Sequence, residues 1–78
     1  MNKKEFMSKC KEALEEGWGI SVLVDLPGNK ELERISNHNT DIENKMAYYD
    51  KTYNENMEHK FSPVPVKITN VEFMLSCK

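Results

Sequence analysis

In Ile20-Ser21-Val22-Leu23-Val24-Asp25-Leu26 the apolar residues Ile20, Val22, Val24 and Leu26 fall on every second position. Successive side chains of a strand point to opposite faces, so this spacing gives a half-buried β-strand with Ser21, Leu23 and Asp25 on its other side. Pro27-Gly28-Asn29 follows directly. Proline sets one turn dihedral and glycine accepts a positive one, so the chain reverses there. Glu31 to Ser36 then reads as a second, more polar strand pairing back on the first. Leu32 and Ile35 differ in parity, and both face inward only if that strand carries a bulge.

Upstream of the strand, Phe6, Cys10, Ala13 and Leu14 recur at helical spacing between Lys3 and Glu16, with Met7 widening the stripe. Asn2 is placed to accept an early amide, Glu5 completes a weaker capping box, and Gly17 supplies the left-handed residue that stops a helix. Downstream, Asn37-His38-Asn39-Thr40 is a loop of side chains that compete for backbone hydrogen bonds. It runs into Thr40-Asp41-Ile42-Glu43, a capping-box pattern that opens a second helix. Ile42, Met46, Tyr49, Tyr53 and Met57 continue as one apolar stripe, which predicts a helix of about four turns reaching Met57. Phe61-Ser62-Pro63-Val64-Pro65 breaks it. Val66 to Cys77 is the last strand, and its parity shifts midway, so either Thr69-Asn70 forms a bulge or the strand is buried on both faces.

The expected fold is α+β, one small domain over residues 1–78 in the order α-β-β-α-β. The first and last strands are the most apolar. They should lie side by side, giving spatial order 2-1-3 in a three-stranded antiparallel sheet with both helices on one face. The opposite face would carry Leu23 and part of the last strand, and is expected to serve as a contact surface.

A chain of 78 residues has room for one core and no substrate lobe. A core of that size supplies roughly 3–5 kcal/mol, so a dimer contact or bound partner is expected to add stability. The formal net charge is −2, and Arg34 is the one arginine among 11 basic residues. Both facts argue against general affinity for phosphate backbones. Cys10 and Cys77 are taken as reduced, structural thiols of a cytoplasmic protein, the alternative being a disulfide joining the first and last elements. Apolar runs stay far below the roughly 20 residues that span a bilayer.

No catalytic pattern emerges. His38, His59, Cys10 and Cys77 lack the paired spacing of a zinc site, so neither metal nor cofactor is expected. A thiol on the core face acts as a small hydrophobe rather than a nucleophile. His59-Lys60 reads as positive charge against a helix C-terminus, and Asp50, Glu55 and Glu58 with their neighbouring lysines read as a solvated helix face. Neither Gly17-Trp18-Gly19 nor Pro27-Gly28-Asn29 has the strand, glycine loop and helix order that cradles phosphates. The tyrosines Tyr48, Tyr49 and Tyr53 form the most informative cluster, because such rings combine rigid area with a polar tip. Tyr49 and Tyr53 fit the core stripe, whereas Tyr48 lies off it. Trp18, between two glycines, reads as a plug over the core edge.

The block from Asn44 to Lys60, with its Tyr48-Tyr49-Asp50 and Tyr53-Asn54, followed by Val66-Lys67-Ile68-Thr69-Asn70-Val71-Glu72-Phe73, resembles short uncharacterised proteins of phages and prophages of Gram-positive bacteria. Val24-Asp25-Leu26-Pro27-Gly28 is similar as well. The resemblance implies a double-tyrosine helix and a closing strand, and it brings no catalytic residue. It also implies action by occupying a surface of a host protein, such as a CRISPR nuclease or another component of antiviral defence.

The expectation is therefore a non-enzymatic protein-binding module of phage or prophage origin in the bacterial cytoplasm, contacting a host or phage protein through Trp18, Tyr48, Asp50 and Glu55. One alternative is a structural or assembly component of the phage that forms a homodimer or larger homo-oligomer through its sheet edges. A second alternative is a nucleic-acid accessory factor using Lys3, Lys4, Lys9 and Lys11, which fall mainly on the exposed face of the first helix.

Overall fold

The computed structural model describes residues 1–75. Helix α1 spans Lys3–Glu16 and buries Phe6, Cys10 and Ala13, the residues whose spacing defines its apolar face. Its start is capped as expected, the Asn2 side chain accepting the Glu5 amide at 2.8 Å. Its end is Gly17, held at φ 80°, a left-handed conformation that a Cβ would strain. Strand β1 (Gly19–Asp25) follows at once. Leu26, Pro27, Gly28 and Asn29 then form a tight turn, with Gly28 at φ 83° and the Asn29 amide donating to the Leu26 carbonyl at 3.2 Å.

Strand β2 (Glu33–Asn37) pairs antiparallel with β1, and β3 (Lys67–Met74) pairs antiparallel with its other side, giving the order β2-β1-β3. Ile20, Val22 and Val24 lie opposite Phe73, Val71 and Ile68, which continue the same face. That alignment requires one extra residue in β3, because Leu23 pairs with Asn70 while Val24 pairs with Ile68. Thr69 is the bulge, and its hydroxyl donates to the Leu23 carbonyl at 3.3 Å. The parity break in the sequence is thus resolved by a bulge, which keeps both apolar phases of β3 facing the helices.

A short 3₁₀ turn (Asn39–Asp41) leads into α2, which spans Ile42–Thr52. The capping box expected from Thr40 to Glu43 does not form: the residue before α2 is Asp41, whose side chain makes no cap bond, and Thr40 instead donates its amide to His38 Nδ1 at 3.3 Å. The 3₁₀ turn supplies the entry that the box would have made.

Helix α2 also stops earlier than its apolar stripe implies. Tyr53 is already extended, and the Asn54 side chain accepts the amides of Asn56 and Glu58 at 2.9 and 3.0 Å. An asparagine that satisfies backbone donors two and four residues ahead offers the chain a turn in place of the helix. Met57 nonetheless reaches the core, fully buried, through a loop residue at φ 59°. His59 and Lys60 therefore do not sit at a helix end, and the dipole reading of them falls.

One buried cluster joins these elements. Phe6, Cys10 and Ala13 from α1, Ile42 and Tyr49 from α2, Ile20, Val22 and Val24 from β1, and Ile68 and Val71 from β3 form its centre. Phe6 and Tyr49 meet edge to face at 4.9 Å, which locks the two helices against each other. Each fully buried side chain of this size contributes about 1.5–3 kcal/mol relative to exposure. Both helices lie on the one sheet face. The opposite face carries Leu23 and part of β3, as expected, and is largely polar: Ser21 pairs with Ser36 and Glu72, and Arg34 bridges to Glu72 at 2.6 Å. Leu23, partly buried there, has Arg34 and Asn70 as its cross-strand neighbours.

Candidate interaction surface

Where α2 ends, the chain doubles back on itself. The Asn54 amide donates to Glu58 O at 2.9 Å, Lys60 N donates to Thr52 O at 2.9 Å, and Tyr53 and His59 form an isolated bridge. The returning residues then pair with the start of β3, with His59 N donating to Val66 O at 2.8 Å and Ile68 N to Met57 O at 2.9 Å. Residues 60–65 are thereby a loop whose two ends are hydrogen-bonded together.

Inside that loop the backbone is held by side chains. Nδ1 of His59 accepts the amides of Phe61 and Ser62 at 3.0 and 2.9 Å, so the ring proton belongs on Nε2. The Ser62 hydroxyl accepts the Val64 amide at 3.3 Å, and Pro63 and Pro65 restrict the remaining dihedrals. The His59 ring itself rests against the buried Tyr53 at 5.1 Å. This framework turns outward what a folded chain normally hides: Phe61 is 72% exposed and Val64 49% exposed. Lys60 places its ammonium 5.7 Å from the Phe61 ring centre. Beside the loop runs an open groove between Pro63, Val64 and Pro65 and the charged Glu58, Lys60 and Lys67. It continues past Glu58, Pro65 and Lys67 to Asp25 and Pro27.

The residues expected to make contacts do not form one patch. Tyr48 is 47% exposed on α2, its ring against Tyr49 at 5.2 Å with Lys45 Nζ 5.7 Å away. Asp50 and Glu55 are drawn to the start of α1: Lys3 donates its ammonium to Asp50 O at 2.8 Å and its amide to Glu55 O at 2.9 Å. Trp18 lies beyond the other end of the same helix, half-buried against Phe73 at 5.1 Å. Fourteen helical residues separate these two places by about 20 Å. Asp50 and Glu55 therefore meet at the start of α1, Tyr48 projects from a different face of α2 than Asp50 two residues on, and Trp18 closes the core beyond the other end of α1.

The lysines of α1 are partly committed within the chain. Lys3 serves Asp50, and Lys9 reaches Asn70 Oδ1 and Val71 O, each at 3.3 Å. That leaves Lys4 and Lys11 as the exposed pair of the four, a thin stripe for holding a phosphate backbone.

The buried nucleophile is inert. Burial pushes the Cys10 thiol up to about 12, so it stays protonated and packs as a small apolar group. Tyr49 is likewise pushed up to about 12, first by burial and then by the nearby Tyr53, Tyr48 and Cys10. Tyr53 is raised by burial and by Tyr48. Among the described residues no group of three or more His, Cys, Asp or Glu side chains is placed to hold a metal ion. No helix among them is long and apolar enough to cross a membrane. Cys77, the other thiol, lies outside the described residues, and so does the disulfide that would join it to Cys10.

Compared with protein-family models, with curated proteins and with solved structures, the chain finds no match.

The 60–65 loop was legible in the sequence only as a helix breaker. Its outward role had two local signals. One was an aromatic residue bracketed by a lysine and a proline-rich run, and the other a histidine two residues before it, placed to accept the amides that follow.

Proposed function

We propose that this chain is a non-enzymatic protein-binding module that presents residues 61–65 to an apolar cleft on a partner protein. The observation that carries this reading is the combination of exposure and rigidity at Phe61: a fully formed hydrogen-bonded loop holds a large ring in solvent. Ordering a mobile loop on binding costs affinity, and a loop held before binding avoids that cost. Phe61 and Val64 then supply the apolar anchors, while Lys60, Lys67 and Glu58 form a charged rim that selects orientation. The loop starts at the end of α2, where Lys60 N donates to Thr52 O at 2.9 Å, and Tyr48, Asp50 and Glu55, on and just after that helix, are further contact residues of the same reading; Trp18 takes a structural part instead.

The resemblance to small phage and prophage proteins supports a partner in the bacterial cytoplasm, with components of antiviral defence as the first candidates. The decisive comparison is capture of a defined host protein by the tagged wild type and by Phe61→Ser. Loss of capture with an unchanged melting temperature is expected. Equal capture by both proteins would remove the loop from the interface, and Tyr48→Ala would then be the next variant to lose binding if α2 carries the contact.

A further inference from the structure

The two edges of the sheet are finished differently. Along β3 the outer side is occupied: Ile68 N donates to Met57 O at 2.9 Å, Val66 O accepts His59 N at 2.8 Å, and the Lys9 ammonium takes Val71 O at 3.3 Å. Along β2 the described residues pair as strand on one side alone, with β1, and the side-chain bond to the β2 backbone, Asn37 Nδ2 to Ile35 O at 3.3 Å, comes from the strand itself and not from another segment. Four of its five residues are exposed.

An open edge is a template for another strand, and proteins commonly blunt it with proline, a bulge or an outward charge. Strand β2 contains no proline and pairs with β1 through five successive residues without a shift. Its single cation is turned away from the edge, because Arg34 reaches across the sheet to Glu72 of β3 at 2.6 Å. Ile35 stands on the helix side, opposite the buried Val22, yet is 42% exposed.

We propose that the outer edge of β2 pairs antiparallel with β2 of a second copy of this chain, about a two-fold axis at Ile35. An axis perpendicular to the sheet keeps the helices of both copies on one side and must pass through a residue position, since a half-step register would turn one copy over. Centred on Glu33 or Arg34, the pairing sets like charges face to face and shortens the ladder. Centred on Ser36, it shortens the ladder as well. Centred on Ile35 it uses the whole strand: Glu33 meets Asn37, Arg34 meets Ser36, and Ile35 meets its own counterpart. No like charges stand opposite, and the exposed apolar side chain is covered by an identical one. The strand is self-complementary in this register, which specifies a second copy as the occupant. The 60–65 loop lies beyond the opposite edge, so the dimer carries two such loops, and the pairing stands apart from the proposed function.

Sedimentation velocity across a dilution series tests the state directly. The wild type should show twice the chain mass at high concentration and dissociate on dilution. Ile35→Lys, which sets two ammonium groups opposite each other, should remain a monomer throughout with an unchanged circular dichroism spectrum. In a Cys77→Ser background, Ile35→Cys should form a disulfide-linked dimer under mild oxidation, since directly opposed residues sit about 4.5–5.5 Å apart, within disulfide reach. Ser36→Cys, whose mate is displaced along the strand, should not. A wild type that is monomeric at every concentration, a dimer indifferent to Ile35→Lys, or equal cross-linking of the two cysteine variants would overturn the proposal. If the lysine variant fails to fold, the cysteine pair decides alone.

Discussion

Nδ1 of His59 accepts the backbone amide of Phe61 at 3.0 Å, so the most outward large side chain noted in this fold is braced by an imidazole that rests on the core. The brace predicts that His59→Ala loosens the loop without unfolding the protein. Two acceptor contacts are lost, one to the exposed Phe61 amide and one to the partly buried Ser62 amide, and stability should fall by about 1 kcal/mol. Amide hydrogen exchange is the discriminating measurement: Phe61 and Ser62 should exchange faster while the β1 amides keep their protection.

Asn39 joins the loop before α2 to the end of α1. Its Nδ2 donates to Trp18 O at 2.8 Å and to Ala13 O at 3.2 Å. Asn39→Ala removes both donors from partly buried carbonyls and should cost about 1–2 kcal/mol. Urea unfolding should show a lower midpoint with an unchanged slope, the signature of lost stability at constant exposed surface. An unchanged midpoint would mean that solvent replaces both bonds.

Met57 combines two opposing features, a fully buried side chain and a left-handed backbone at φ 59°. Truncation to alanine should cost about 2–5 kcal/mol through lost packing. Glycine removes the same packing but escapes the left-handed penalty of about 1–2 kcal/mol that a Cβ carries. Met57→Gly should therefore be more stable than Met57→Ala, the reverse of the order within a helix or strand. Finding alanine the more stable of the two would show that the backbone changes conformation once the side chain is gone.

Stability should fall in alkali. Burial raises the folded values of Cys10, from 9.0, and of Tyr49, from 10.0, each to about 12. Between those ordinary values and about 12 the unfolded chain has lost protons that the folded chain keeps, so rising pH favours unfolding. The contribution is complete below pH 9.0 and is lost progressively as pH climbs toward 12. Denaturation midpoints measured across that window should decline, and more gently in Cys10→Ala, where only the tyrosine part remains. The same protonated thiol should react with alkylating reagents only as fast as the protein opens.

Several local features are legible in the sequence. The Asn2 cap, the Gly17 stop and the Pro27-Gly28 turn each depend on residues within a few positions of the backbone they control, whereas the parity break at Thr69-Asn70 left a bulge and two-sided burial equally open, and pairing with β1 decided for the bulge. Element order and sheet order followed from the apolar periods of α1, β1 and β3. Helix α2 is shorter than its apolar stripe implies for a physical reason. Met57 is as apolar and as buried as the stripe requires, but Asn54 had already turned the backbone, so burial and helicity parted company.

By itself, then, the chain's order of residues determined the α-β-β-α-β succession, the inward faces of its helices and strands, and the points where it must turn, because those are settled by short-range sterics and by apolar periodicity. Tertiary structure alone decided which surfaces were left over. It drew Arg34 across to Glu72 and left the β2 edge open, covered the β3 edge with residues 57–59, set Trp18 and Asp50 at opposite ends of α1, and braced Phe61 outward on His59. Each of those outcomes rests on contacts between side chains or segments brought together by folding, and the periodicity of one segment carries no information about what the others will cover.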